Sequence, residues 1–216
     1  PQINAPLFAA VESDVVGYTT IEMQAGKWYL VGNPFAELTD ATTVTINDLF
    51  NSGFSDGDTL SVLNPENATY AVYYWSETIG KWTPFKGLDI AADVSLAPGE
   101  AVYIHKANAG EVCLKGKVVE QEVPFGSDVG NRWAQIVPMW PADRKVNEIS
   151  WTGLNDGDTL SILNVDSTTY AVYYWNKNLG KWAVFPNLPV AADDVTLAPG
   201  QAVLVRKVSQ GMGSLK

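Results

Sequence analysis

The stretch Tyr70-Ala71-Val72-Tyr73-Tyr74-Trp75 decides the architecture of this 216-residue chain, because the same letters return one hundred positions later at residues 170–175. The repetition continues on both sides of this stretch, and about 23 of the 38 positions in residues 56–93 are identical to those in residues 156–193. A copy of about 100 residues has the size of one compact domain. The sequence therefore predicts two tandem domains, at residues 15–116 and 117–216.

Both copies have the pattern of β-strands. In residues 70–75 successive side chains point to opposite faces, and aromatic and β-branched types suit such a pleated surface. Residues 76–80 form a short connection, after which residues 81–85 return antiparallel. Further strands are predicted at residues 18–23, 28–31, 59–63, 101–106 and 112–115, and a single helical turn at residues 46–50. We expect an all-β fold of two tandem β-sandwich domains, Ig-like or jelly-roll-like, with an extended N-terminal arm strand.

The arm, residues 1–14, has no counterpart in the second copy. Between positions 3 and 11 every odd position is apolar, and this period of two predicts a strand that buries one face. The arm either joins the sheet of its own first domain or adds as a donor strand to another subunit. The side chains expected to make the donor contacts are Ile3, Ala5, Leu7, Phe8, Ala9 and Val11.

An exchanged arm has a consequence for assembly. The arm and the groove that accepts it are different surfaces, so the contact is head-to-tail, and it gives an open filament unless it closes into a ring. We therefore expect the structural subunit of an extracellular bacterial filament, a homopolymer held together by its arms. The alternatives are a surface adhesin or carbohydrate-binding module that uses exposed Trp and Tyr side chains, and a plain structural spacer.

Composition disfavours several other classes of protein. A formal charge of −10 and a pI near 4.5 argue against nucleic-acid binding, which needs clustered Lys and Arg. No apolar run approaches the roughly 20 residues that a membrane-spanning helix needs. Pro1 in place of an initiator Met, together with few Lys and many Thr and Trp residues, fits an exported protein whose signal peptide has been removed.

The sequence shows no constellation of nucleophile, base or metal ligands, so we expect neither enzymatic activity nor a cofactor. The single histidine, His105, and the single cysteine, Cys113, are expected to be structural. Two Asp-Gly-Asp turns supply weak calcium candidates, although an ordinary tight turn before a strand is the favoured explanation. These candidates are Asp56, Asp58, Asp156 and Asp158.

Aromatic and hydroxyl side chains supply two more sets of candidates. Indole rings shared by both copies are possible sugar contacts, although large aromatic side chains also fill small β-sandwiches. These are Trp75, Trp82, Trp175 and Trp182. Candidate glycosylation positions are Asn67, in an Asn-x-Thr sequon, and Thr59, Thr159 and Ser167, each of which follows an Asp.

The motifs of the first copy follow a recurring order. A Trp-containing strand in residues 26–35 includes Asn33-Pro34, and the Gly-Asp turn, the Tyr- and Trp-rich hairpin and a Pro-Gly-Glu strand at residues 98–100 follow it. This order resembles uncharacterised secreted all-β repeats in surface proteins of environmental bacteria, although residues 137–140 of the second copy depart from it. The resemblance implies an extracellular location and an adhesive or structural role, and it brings no catalytic residues.

Overall fold

The computed structural model describes residues 15–36, 44–127 and 129–216, and within these ranges the chain is all-β with one short helix. The predicted arm at residues 1–14 and all its donor residues lie outside the described ranges. The helix has four residues, and no helix of the described ranges is long and apolar enough to cross a membrane.

In the first half of the chain, which ends with a strand at Lys117, all the described strands pair antiparallel. Its strands are β1 (Val16–Met23), β2 (Trp28–Gly32), β3 (Val44–Thr45), β4 (Thr59–Asn64), β5 (Thr69–Ser76), β6 (Lys81–Thr83), β7 (Ser95–Leu96), β8 (Ala101–His105) and β9 (Gly110–Lys117). Helix α1 (Ile46–Leu49) follows β3, and a capping box between Thr45 and Asp48 begins it. One sheet has the order β2-β8-β4-β5-β6, while β1 pairs with β9 and β3 pairs with β7.

The second half repeats most of this topology, with the extra strand β13 and no counterpart of α1 among the described residues. Its strands are β10 (Val123–Ser127), β11 (Arg132–Ile136), β12 (Arg144–Lys145), β13 (Trp151–Thr152), β14 (Thr159–Asn164), β15 (Thr169–Asn176), β16 (Lys181–Ala183), β17 (Thr196–Leu197), β18 (Val203–Lys207) and β19 (Gly211–Leu215). The sheets have the orders β11-β18-β14-β15-β16, β10-β19-β13 and β12-β17. Thr59 lies opposite Tyr74 in the first half and Thr159 lies opposite Tyr174 in the second, so the sequence repeat is also a repeat of strand register.

Tryptophan lies at the centre of each core. Trp82 and Trp182 are fully buried, and the neighbouring Trp75 and Trp175 pack edge-on against them with ring centroids 5.3 Å apart in both halves. In each half one hydrophobic cluster joins the five-stranded sheet to the smaller sheets. Large aromatic rings bury much apolar surface per residue, which suits a fold without disulfides.

The two halves pack together through pairs of contacts. In each pair, the position that the first half contributes to one contact is contributed by the second half to the other. Backbone bridges join Val31 to Gln201 and Glu100 to Ile136, which are equivalent positions of the repeat. A small apolar cluster lies between them, formed by Leu30, Ala101, Val137, Leu163, Ala202 and Leu204. Paired contacts of this kind are those of an interface with approximate two-fold symmetry, so the halves meet as two similar subunits of a dimer would.

Candidate functional site

The two Asp-Gly-Asp turns are anchors of the fold. Asp58 is fully buried, its carboxylate forms an ion pair with the buried Lys106, and it accepts the backbone N–H groups of Ser55 at 2.9 Å and Ala107 at 2.6 Å. Gly57 between the aspartates has a φ of +98°, which favours glycine and fits the predicted tight turn.

The second half has the same anchor. Asp158 pairs with Lys207 at 3.3 Å and accepts the backbone N–H of Val208 at 2.8 Å. An ammonium group therefore takes the place that a cation would need at Asp58 and Asp158. Asp56 and Asp156 accept the backbone N–H groups of Glu77 and Lys177, which follow β5 and β15. These partners do not fit the calcium interpretation, and the described residues hold no group of three or more His, Cys, Asp or Glu arranged for a metal.

The four tryptophans predicted as sugar contacts are part of the core. Trp82 and Trp182 have no exposed surface, Trp75 is 8% exposed, and Trp175 is half-buried against Trp182. A sugar ring stacks on an accessible ring face, so the prediction that Trp82 and Trp182 form an exposed sugar-binding platform is wrong. Their shared positions in both copies reflect the requirements of packing.

The glycosylation candidates differ in accessibility. Asn67 lies on an exposed hairpin turn, where its Oδ1 accepts the hydroxyl of the sequon residue Thr69 at 2.7 Å. Ser167 is exposed on the equivalent turn of the second half, whereas Thr59 is half-buried and Thr159 is only 9% exposed. A transferase would therefore reach Asn67 and Ser167 more easily than the two threonines.

Strand β1 is an edge strand, and β9 is its only strand partner within the described ranges. A groove of about 450 Å³ lies beside it, lined by residues 19–22 of β1, residues 29–31 of β2 and residues 163, 165, 198–199 and 201–202 of the second half. Because four consecutive residues of β1 line the groove, it follows the backbone edge of the strand. Three large side chains just before the residues that line the groove are exposed. Val15, Val16 and Tyr18 have exposed fractions of 69%, 59% and 77%.

The equivalent strand of the second half, β10, has a protected edge. It contains Pro124, and proline has no N–H to offer to an added strand. The groove beside it measures about 170 Å³, and β10 has five residues where β1 has eight. Of these two equivalent edges in the described part of the chain, that of β1 is the longer and has no proline, and that of β10 is the shorter and contains Pro124.

A second surface feature, which we call the aromatic cleft, lies where the two halves meet. It is formed by Trp28, Tyr70, Tyr103, Trp133 and Tyr170. It consists of two cavities of about 390 Å³ each, which share the three tyrosines. Trp28 borders one cavity and its repeat equivalent Trp133 borders the other, so the cleft follows the approximate two-fold symmetry of the halves.

The tyrosines of the cleft are linked by their hydroxyl groups. Those of Tyr103 and Tyr170 share a hydrogen bond across the junction, and Gln135 donates its side-chain N–H to the hydroxyl of Tyr70 at 3.2 Å. Burial is the main reason that the pKa values of Tyr70 and Tyr103 lie above the usual value of 10.0. The phenols of Tyr70 and Tyr103 are therefore neutral hydrogen-bonding groups throughout the physiological range.

Sequence reasoning did not identify the edge of β1 or the aromatic cleft. A signal for the edge was present, since Thr20 and Pro124 occupy equivalent positions of the two copies. The sequence signal for the cleft is weaker. Trp28 and Trp133 are identical at equivalent positions of the repeat, but Tyr103 corresponds to Leu204. No protein-family model, curated protein or solved structure matches the chain.

Proposed function

We propose that this protein is the structural subunit of an extracellular filament, which grows when the arm of one subunit adds as a strand to β1 of the next. The observation that carries the proposal is the open edge of β1, with a groove beside it and exposed apolar side chains around its start. An exposed edge of this length is a template for pairing with another chain, and soluble proteins usually block such edges.

The arm has the chemistry that this edge requires. Its backbone would continue the ladder, and its apolar odd-numbered side chains, among them Leu7 and Ala9, would enter the groove. Thr19 and Ile21 of β1 are half-buried and Thr20 is exposed, so an added strand would also have one face toward the protein and one toward solvent.

The difference between the two halves supports a linear assembly. If both β1 and β10 accepted an arm, each subunit would bind two neighbours through its edges and the assembly would branch. Pro124 removes a donor from the second edge, so in the proposed assembly each subunit uses one arm and, of these two edges, one acceptor. One donor and one acceptor per subunit is the arrangement that gives an unbranched head-to-tail chain.

The finer architecture and the location belong to the same proposal. We infer that each half is a β-sandwich domain, because in each half the core lies between the five-stranded sheet and the smaller sheets. The acidic composition, the low share of charged residues and the resemblance to secreted repeats support an extracellular location.

Removal of the arm tests the proposal. A variant that lacks residues 1–11 is expected to stay monomeric and folded, while the full chain forms filaments that negative-stain electron microscopy detects at the same concentration. Circular dichroism and a thermal melt of both proteins control for folding. Filaments of unchanged length and number from the truncated chain would refute the role of the arm, and a closed dimer of the full chain would refute linear growth.

A further inference from the structure

We propose that the aromatic cleft is a binding site for a neutral oligosaccharide, with one pyranose ring in each of its two cavities. This site is distinct from the groove beside β1, because no β1 residue lines it and the two linings have only Leu163 in common. It would add a glycan-binding function to a structural subunit, and it uses none of the buried tryptophans.

The walls of the cleft have the shape that a sugar ring needs. Trp28 meets Tyr103 edge-on, with ring centroids 6.4 Å apart and planes at 83°, and Tyr70 lies tilted against Tyr103 at 5.6 Å. Aromatic rings in different orientations therefore border the cavity beside Trp28. The C–H face of a pyranose packs on the face of such a ring, and the apolar contact excludes water from the hydrogen bonds around it.

Polar groups at the cleft match the hydroxyl groups of a sugar. Ser61 and Thr168 line the first cavity together with the hydroxyl-bearing tyrosines. Behind Tyr70, the side chain of Gln135 is 5% exposed, and its Oε1 has no hydrogen-bond partner among the described residues. Gln135 does not border either cavity, and it supports the cleft by donating its side-chain N–H to the hydroxyl of Tyr70.

The described lining carries no formal charge. Among the residues that the structure describes, none that borders the two cavities is Asp, Glu, Lys or Arg. The raised pKa values of Tyr70 and Tyr103 keep these phenols protonated, so they add no negative charge. A neutral ligand is therefore favoured over an acidic or a cationic one, since a charged ligand would lose water here without gaining a partner.

The two tryptophans are each in contact with an equivalent residue of the repeat. His105 lies 4.9 Å from the Trp28 ring, and the guanidinium of Arg206 lies 5.6 Å from the Trp133 ring. Arg206 is itself fixed by Asn131, whose Oδ1 accepts its Nε–H at 2.8 Å. Walls that are ordered before a ligand arrives reduce the entropy cost of binding.

The test is isothermal titration calorimetry of the full chain with cellohexaose, a neutral glucan whose rings present two C–H faces. We expect saturable binding that Trp28→Ala and Trp133→Ala each weaken about tenfold. Tyr170→Phe keeps the ring and removes one hydroxyl, so it is expected to weaken binding less. The matched control is Phe85→Ala, which removes an aromatic ring that is 69% exposed outside the cleft, and it should leave binding unchanged.

Three outcomes would overturn the proposal. The first is no saturable heat with cellohexaose at millimolar concentration, and the second is an equal loss of binding in Phe85→Ala. The third is tighter binding of the acidic polymer polygalacturonate than of cellohexaose, which would contradict the neutral lining. Thermal melts of all variants identify a loss caused by unfolding, and Tyr170→Phe keeps the test valid if a tryptophan variant does not fold.

Discussion

A Thr20→Pro variant is expected to fold as the parent protein does and to form no filaments at the concentration at which the parent protein begins to polymerise. Thr20 lies opposite Cys113 in the β1–β9 pair, and Pro124 lies opposite Ser214 in the equivalent β10–β19 pair. Proline has no N–H, and yet β10 pairs with β19 through Pro124. The backbone nitrogen at this position therefore does not bond to the partner strand. By equivalence the N–H of Thr20 points to the open edge, so proline there removes a donor that only an added strand would use.

The expected effect on assembly is large. An incoming strand would leave one carbonyl buried without its donor, which costs about 1–3 kcal/mol, or roughly a five- to 150-fold rise in the concentration needed for polymerisation. Light scattering over a concentration series measures this threshold, and negative-stain microscopy confirms the species. Thr20→Ala, which keeps the N–H, is the matched control and should polymerise normally. Polymerisation of Thr20→Pro at the parental threshold would show that β1 is not the acceptor.

The Asp58→Asn variant is expected to lose about 3–5 kcal/mol of unfolding free energy. Asp58 and Lys106 are both buried, and the amide would leave the ammonium group of Lys106 without a counter-charge. Lys106 also donates to the carbonyl of Gly53 at 2.7 Å, which holds it in the interior after the carboxylate is gone. Urea denaturation followed by tryptophan fluorescence measures the loss.

Two comparisons separate the buried charge from other effects of the substitution. The double variant Asp58→Asn, Lys106→Met removes both charges and should be more stable than Asp58→Asn alone, because no uncompensated ion remains. Asp193→Asn breaks the exposed pair of Lys181 and Asp193, at 3.0 Å, and should leave the denaturation midpoint unchanged. Equal losses in Asp58→Asn and Asp193→Asn would contradict the anchor role of the buried pair.

Local patterns in the sequence predicted the strands well. The alternation in residues 70–75 and the turn at residues 76–80 place β5 and β6, because hairpin pairing depends on neighbours in the chain. The helical turn at residues 46–50 is confirmed by α1 with its N-cap Thr45. The same alternation does not show which face of β5 is buried, because both faces carry aromatic side chains. Tyr70 and Tyr74 lie on one face, and Tyr73 and Trp75 lie on the other. For this reason the sequence predicts a sugar-binding platform at Trp75 and Trp82, although both side chains are buried.

The surfaces that carry the two proposals depend on long-range packing. The hydroxyls of Tyr103 and Tyr170 meet although 67 positions separate them, and the cleft exists only because the halves pack together. The groove likewise needs β1 to pair with β9, with Val16 opposite Lys117 across about a hundred residues. Neither arrangement follows from periodicity or turn chemistry, which report on neighbours along the chain.

The central claim is that the arm of one subunit binds β1 of another, and mixing two variants tests it most directly. The chain without residues 1–11 has an open edge and no arm, whereas Thr20→Pro has an arm and a blocked edge. Sedimentation velocity should show each variant alone as a monomer and an equimolar mixture as a one-to-one complex that grows no further. A mixture that stays monomeric while the full chain still forms filaments would contradict the account.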